Sequence, residues 1–248
     1  MIALRVFPVA MALAGVALVA TGCQSTQSKS AQIGEELGPV EQEVGLKISK
    51  PSKEVKVVST ELLSDANGSA VVVAVRNTSG RDLADVPILI DVRDAKGKSV
   101  YSNDIPGLEP ALTSIPYVEA GKEATWVNDQ VLTAAEPKSV KVTVGEGGTA
   151  VTAEVPDFAV SAPKLEGDPY SGVVAGGNVE NESGETIDRV LIYAIARKGD
   201  EVIAAGRGAI EKVKPEPKPL PYNVYFIGDP RGAEVEIASF PTLPGVDQ

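Results

Sequence analysis

The chain has 248 residues, 43% apolar and 23% charged, with a net charge of −11, no histidine and one cysteine. That much apolar material suits a folded core rather than a disordered chain. The acidity argues against nucleic acid or bare anionic headgroups as partners, since both require a basic face. Without histidine the commonest general base and metal ligand are missing, and one cysteine excludes an intrachain disulfide.

In chain order, the first signal lies in Met1 to Cys23. Arg5 gives a short positive start, Val6 to Ala20 is apolar with Pro8 and Gly15 as interruptions, and Ala20-Thr21-Gly22 are small residues before Cys23. An apolar run of about 15 residues falls short of the roughly 20 that span a bilayer. The segment resembles a secretory signal peptide, and Val19-Ala20-Thr21-Gly22-Cys23 resembles a bacterial lipobox. The resemblance implies cleavage between Gly22 and Cys23, with diacylglyceryl on the Cys23 thiol. Residues 1–22 would then be the signal peptide of a palmitate-type lipoprotein. Two acyl chains give stable membrane attachment, where one holds a protein only reversibly.

Residues 23–54 read as a lipidated, flexible tether. Gln24 to Ser30 is polar without apolar period, and Gly34, Gly38, Pro39, Gly45 and Pro51 interrupt any helix.

The remainder reads as two copies of one unit, residues 55–155 and 156–248, divided near Val155-Pro156-Asp157. Val75-Arg76-Asn77-Thr78-Ser79-Gly80 aligns with Val179-Glu180-Asn181-Glu182-Ser183-Gly184, and Leu83 and Val86 with Ile187 and Val190. In each copy the asparagine suits a turn and the glycine is expected to supply a positive φ. A strand follows each turn, at Ile88–Val92 and Leu191–Ile195. A Lys-Gly hairpin follows each strand, at Lys96-Gly97 and Lys198-Gly199, and the return strands start at Ser99 and Glu201. In the first copy Val86, Ile88, Ile90 and Val92 alternate with Pro87, Asp91 and Arg93, so one face enters a core; Leu89 breaks the alternation. Val55-Lys56-Val57-Val58 and Phe158-Ala159-Val160 open the copies, and Val140–Val144 and Glu234–Ile237 close them.

This grammar resembles the small extracytoplasmic Ig-like modules of the FxLYD type. Its late glycine turn is matched by Val118-Glu119-Ala120-Gly121 before Trp126. In the second copy Pro215, Pro217, Pro219 and Pro221 replace it before Tyr222-Asn223-Val224-Tyr225-Phe226. The resemblance implies an all-β chain with two tandem Ig-like antiparallel β-sandwiches of the usual size, after the signal peptide and linker.

The candidate site residues are few. Cys23 is expected to carry lipid. Trp126 is expected in the core. Tyr222, Tyr225 and Phe226 are expected in a buried final strand rather than a recognition patch. Tyr117, after Ile115-Pro116, and Tyr222, after Leu220-Pro221, read as one position in both copies. Asp91, Asp94 and Asp104 lack the spacing of a calcium loop. Lys214–Pro219 suits a stiff polyproline segment. No Gly-x-Ser-x-Gly, Ser-x-x-Lys, His-Glu-x-x-His or P-loop is present, so no enzyme, metal or cofactor is expected. The expected role is a membrane-anchored, non-catalytic scaffold that binds another envelope protein; the alternative is a small-ligand or solute-binding lipoprotein.

Overall fold

Strands form where β-branched residues alternate with polar ones between Gly, Pro and Asp turns. The computed structural model describes residues 44–168, 172–215 and 218–243. In the first half it contains β1 (Val55–Asp65), β2 (Gly68–Asn77), β3 (Leu83–Arg93), β4 (Ser99–Ser102), β5 (Ser114–Val118), β6 (Glu123–Val131), β7 (Ser139–Val144) and β8 (Thr149–Ala150). One 3-10 turn, Pro110–Leu112, lies between β4 and β5. The second half contains β9 (Phe158–Val160), β10 (Lys164–Asp168), β11 (Gly172–Asn181), β12 (Ile187–Lys198), β13 (Glu201–Val213), β14 (Leu220–Tyr225), β15 (Ile227–Gly228) and β16 (Glu234–Pro241). The described residues contain no α-helix; the molecule is all-β and sandwich-like.

Four antiparallel sheets result. One is β1–β2–β6. In the next, β3 has β4 and β5 along one side and β7 and β8 along the other. The third is β15–β13–β12–β16, and in the fourth β11 lies between β14 and the pair β9, β10. Residues on β3 alternate as expected: Val86, Ile88, Ile90 and Val92 are buried, and Pro87, Leu89, Asp91 and Arg93 are half-buried. The loop between β3 and β4 is the expected hairpin, with Gly97 at φ 76°. Its Asp94 carboxylate accepts from Lys96 N at 2.8 Å and Lys98 N at 2.9 Å.

Register relates the halves strand by strand. Asn77 stands opposite Val55 as Asn181 stands opposite Phe158. Leu83 stands opposite Val118 as Ile187 stands opposite Val213. β4 and β5 of the first half are thus merged into the single strand β13 of the second. Two expectations need correction here. Val73 faces Trp126 and Gly177 faces Tyr222, so Tyr222 is the counterpart of Trp126, not of Tyr117. The position equivalent to Tyr117 is Lys212, at φ 54°. Gly80 and Gly184 have no positive φ; the asparagines hold the turn by side-chain bonds instead.

The sheets stack in four layers. Trp126 is fully buried on the inner side of β6, where its indole N–H donates to Ala111 O at 2.9 Å. Val72 and Val127, on the opposite side of the same sheet, join one continuous core with Leu191, Tyr193, Ile195, Ala205 and Phe240 of the second half. Ile192, Ala194 and Ala196 point the other way, into a second core with Ala175, Val179, Tyr222 and Val224. β12 is therefore covered on both faces, which explains its unbroken apolar run. The equivalent outer face of β3 carries Asp91 and Arg93, paired to each other, and among the described residues no other sheet covers it. Gly206 and Gly208 on β13 let β14 cross closely: a Cβ on Gly206 would lie 1.8 Å from Tyr225 O, and one on Gly208 2.8 Å from Asn223 O.

Part of the tether segment is tied to the first half. Pro51 bridges Gly145, Ser52 N donates to Val144 O, and the Ile48 side chain packs over Gly145.

Candidate functional site

Each half is pinned by a buried asparagine at the end of a strand. Asn77 Nδ2 donates to Arg81 O at 2.8 Å and Val118 O at 3.0 Å, and its Oδ1 accepts from Ser79 N and Ser79 Oγ at 2.9 and 2.7 Å. Asn181 repeats the set, donating to Glu185 O and Val213 O at 2.8 and 2.7 Å and accepting from Ser183 N and Oγ at 2.9 and 2.7 Å. A carboxamide that makes all four bonds satisfies itself and closes the loop. These residues hold architecture, not chemistry.

Polar chemistry concentrates at the joint between the halves. Arg207 rises from β13 between Gly206 and Gly208, and its side chain is only 6% exposed. Both terminal nitrogens donate to Glu109 Oε2 at 3.0 Å. Its backbone N–H donates to Asp129 Oδ2 at 3.0 Å, and its Nε lies 3.5 Å from Asp129 Oδ1. Glu109 also pairs with Arg189, whose Nε reaches Glu211 at 3.0 Å. Burial pushes the Asp129 carboxyl above the usual carboxylate range, against the pull of Arg207. Tyr193, fully buried beside Phe240 with ring centroids 5.3 Å apart, has its hydroxyl pushed upward by the same desolvation. That hydroxyl has no hydrogen-bond partner among the described residues.

Beside this network opens a cleft of about 440 Å³. The first half contributes Asp85 and Ser114; the second contributes Asp188, Arg189, Glu211 and Thr242. Asp85, within β3, holds a left-handed backbone, φ 49°. The cleft presents one cation and three carboxylates on a partly apolar floor that includes Leu191 and Pro116.

The other sequence candidates are dispersed. Tyr222 and Phe226 are buried and Tyr225 is 48% exposed. The Tyr222 hydroxyl donates to Ser161 O at 3.0 Å. Tyr117 caps a loop by donating to Asp82 Oδ2 at 2.7 Å. Asp91 is held below its ordinary range: burial raises it, but hydrogen bonds from Ser99 and Arg93 outweigh that. Asp94 serves the hairpin, and among the described residues no group of acidic, His or Cys side chains could hold a metal. Lys214–Pro219 is only partly within the described residues. Cys23 lies outside them, as does all of 1–22.

Sequence reasoning missed Arg207, Glu109 and Asp129. One signal was available for the arginine: a lone charge between two glycines, in the otherwise small and apolar Ala204-Ala205-Gly206-Arg207-Gly208-Ala209. Glu109 and Asp129 carry no such mark. No protein-family model matches the chain, and no curated protein matches it.

Proposed function

We propose that the chain is an exported lipoprotein, attached to a cell-envelope membrane through lipid on Cys23. It would carry two tandem Ig-like sandwiches that bind another envelope protein without catalysis. The tandem-module reading is supported by the strand-by-strand register equivalence and by the matching bond sets of Asn77 and Asn181. The observation that carries the binding role is the joint. A shared apolar face and the Arg207 network hold the halves as one block, which suits a display element that offers its rim and strand edges to a partner.

The anchor is tested by fractionating cells that express the wild type and Cys23→Ala. The wild type is expected in the membrane fraction with a lipid-modified cysteine terminus by mass spectrometry. The variant is expected as uncleaved precursor or in the soluble fraction. Equal membrane retention and equal mature size would refute lipidation.

The cleft beside Arg189 supports a second reading, a small-ligand lipoprotein. A ligand that raises the melting temperature of the wild type but not of Arg189→Ala would favour it.

A further inference from the structure

The strand edges of the block are not alike. β1 is long but bulged between Val57 and Ser59, and the pairing of β6 with β2 shifts register between Ser69 and Val71. β7, β10 and β14 span 6, 5 and 6 residues. β16 spans 8 residues in one unbroken register, from Pro241 opposite Val190 to Glu234 opposite Arg197. Among the described residues no strand pairs with its other side. Thr242 N donates to Arg189 O at 2.7 Å. In an antiparallel ladder backbone groups alternate inward and outward, so the amides and carbonyls of Val235, Ile237 and Ser239 point away from β12. A long, flat, unpaired edge is a template for another strand.

The first half shows what the equivalent edge accepts. Val144 stands opposite Ile88 as Ser239 stands opposite Ile192, so β7 is the counterpart of β16. At the end of β7 a short, lysine-bearing segment of the chain itself makes one bridge. Ser52 N donates to Val144 O at 2.8 Å, Glu146 N donates to Lys50 O at 3.0 Å, and Pro51 bridges Gly145. The residues leading into β9 do not do this for β16. Val151 N donates to Asp82 O in the first half, and Asp157 O accepts from Glu182 N beyond β11.

Charge says what would fit. Glu234 and Glu236 are exposed on β16. Glu236 has only Arg197 near it, at 3.8 Å, and Glu234 has no ion pair among the described residues. A strand laid along this edge would set its alternate side chains beside two carboxylates.

We propose that β16 is a docking edge for an extended lysine- or arginine-bearing segment of a partner protein. The segment adds as a fifth strand to the β15–β13–β12–β16 sheet. It bonds the outward backbone of Val235, Ile237 and Ser239 and pairs with Glu234 and Glu236. This mode of recognition takes affinity from main-chain bonds and selectivity from alternate side chains. The proposal deepens the protein-binding reading above and rests on it, but not on the lipid.

The test uses the full chain in detergent micelles and two synthetic ten-residue peptides, one alternating Lys and Val, the other alternating Glu and Val. Binding is followed by fluorescence anisotropy and by NMR-detected amide exchange. The lysine peptide is expected to slow exchange at Val235, Ile237 and Ser239 and leave Glu236 and Ala238 unchanged; the glutamate peptide is expected to do neither. Ser239→Pro removes an outward N–H that β12 does not use, and is expected to weaken the lysine peptide roughly tenfold, about the worth of one backbone bond. The double variant Glu234→Lys, Glu236→Lys keeps every backbone group and is expected to reverse the peptide preference, so the test survives any misfolding of the proline variant. Three results would overturn the proposal: no protection by the lysine peptide, equal protection by both peptides, or protection of these amides by self-association without peptide. Cys23→Ala fractionation reads the anchor separately, so failure here leaves that result standing.

Discussion

At Asn77 and Asn181 one side chain closes the loop, without the positive φ expected of the glycine three residues on. The amide group reaches two carbonyls on different segments while its oxygen takes both donors of the serine two residues on. Removing it takes a buried bond from the Val118 or Val213 carbonyl, a cost of about 1–3 kcal/mol for a group so left. Asn181→Ala is therefore expected to lower unfolding free energy by about 2–3 kcal/mol in urea titrations, a loss that falls within the range for such a deletion. Asn181→Asp is expected to lose more, because an anion would face the Glu185 and Val213 carbonyls. A variant as stable as wild type would remove the asparagine from its assigned role. The Asn-x-Ser pattern was legible as a turn from sequence. Its mechanism was not, because the deciding partners, Val118 and Val213, lie 41 and 32 residues away.

Individual strands were the easiest part to read. β3 alternates because one of its faces is buried, and the hairpin after it follows from Asp94 and Gly97. β12 gave a weaker signal, since a strand covered on both faces loses its period of two. The misplacement of Tyr222 has a related cause. The first half uses two strands and a 3-10 turn where the second uses the single strand β13, so matching Ile-Pro-Tyr to Leu-Pro-Tyr paired residues from different strands. β13 can stay continuous because Gly206 and Gly208 admit the β14 backbone. Gly206→Ala would drive a methyl to 1.8 Å from Tyr225 O, a clash with backbone that no rotamer relieves. The expected outcome is loss of about 3 kcal/mol or more, beyond the usual 1–3 for overpacking, with Tyr225 and Phe226 exposed to proteolysis. An unaffected melting temperature would show that β14 does not lie where described.

The joint is a property of the whole molecule, and almost nothing in the sequence announced it. Apolar residues on β12 fitted an ordinary strand, and acids are too common for Glu109 and Asp129 to stand out. The joint combines a broad apolar contact with a buried, fully engaged arginine. Such a group sets orientation more than it adds stability, and deleting one partner costs about 3–5 kcal/mol because the remaining charges stay buried. Arg207→Ala is expected to lose that much and to let the halves reorient, seen as a larger radius by small-angle scattering. Arg207→Met with Asp129→Asn and Glu109→Gln, which keeps an acceptor for the backbone N–H of residue 207, is expected to regain most of the stability. Failure of the single change to destabilise would mean the network is incidental.

The corresponding faces of the β3 and β12 sheets are not interchangeable. The second half offers Leu191, Tyr193 and Phe240 to the first, where β3 bears Asp91 and Arg93. Strands that correspond in register therefore do different work in the two halves. A β3-type face set in the joint in place of the β12 face would bring Asp91 and Arg93 against Val72 and Val127, where Leu191 and Tyr193 now lie.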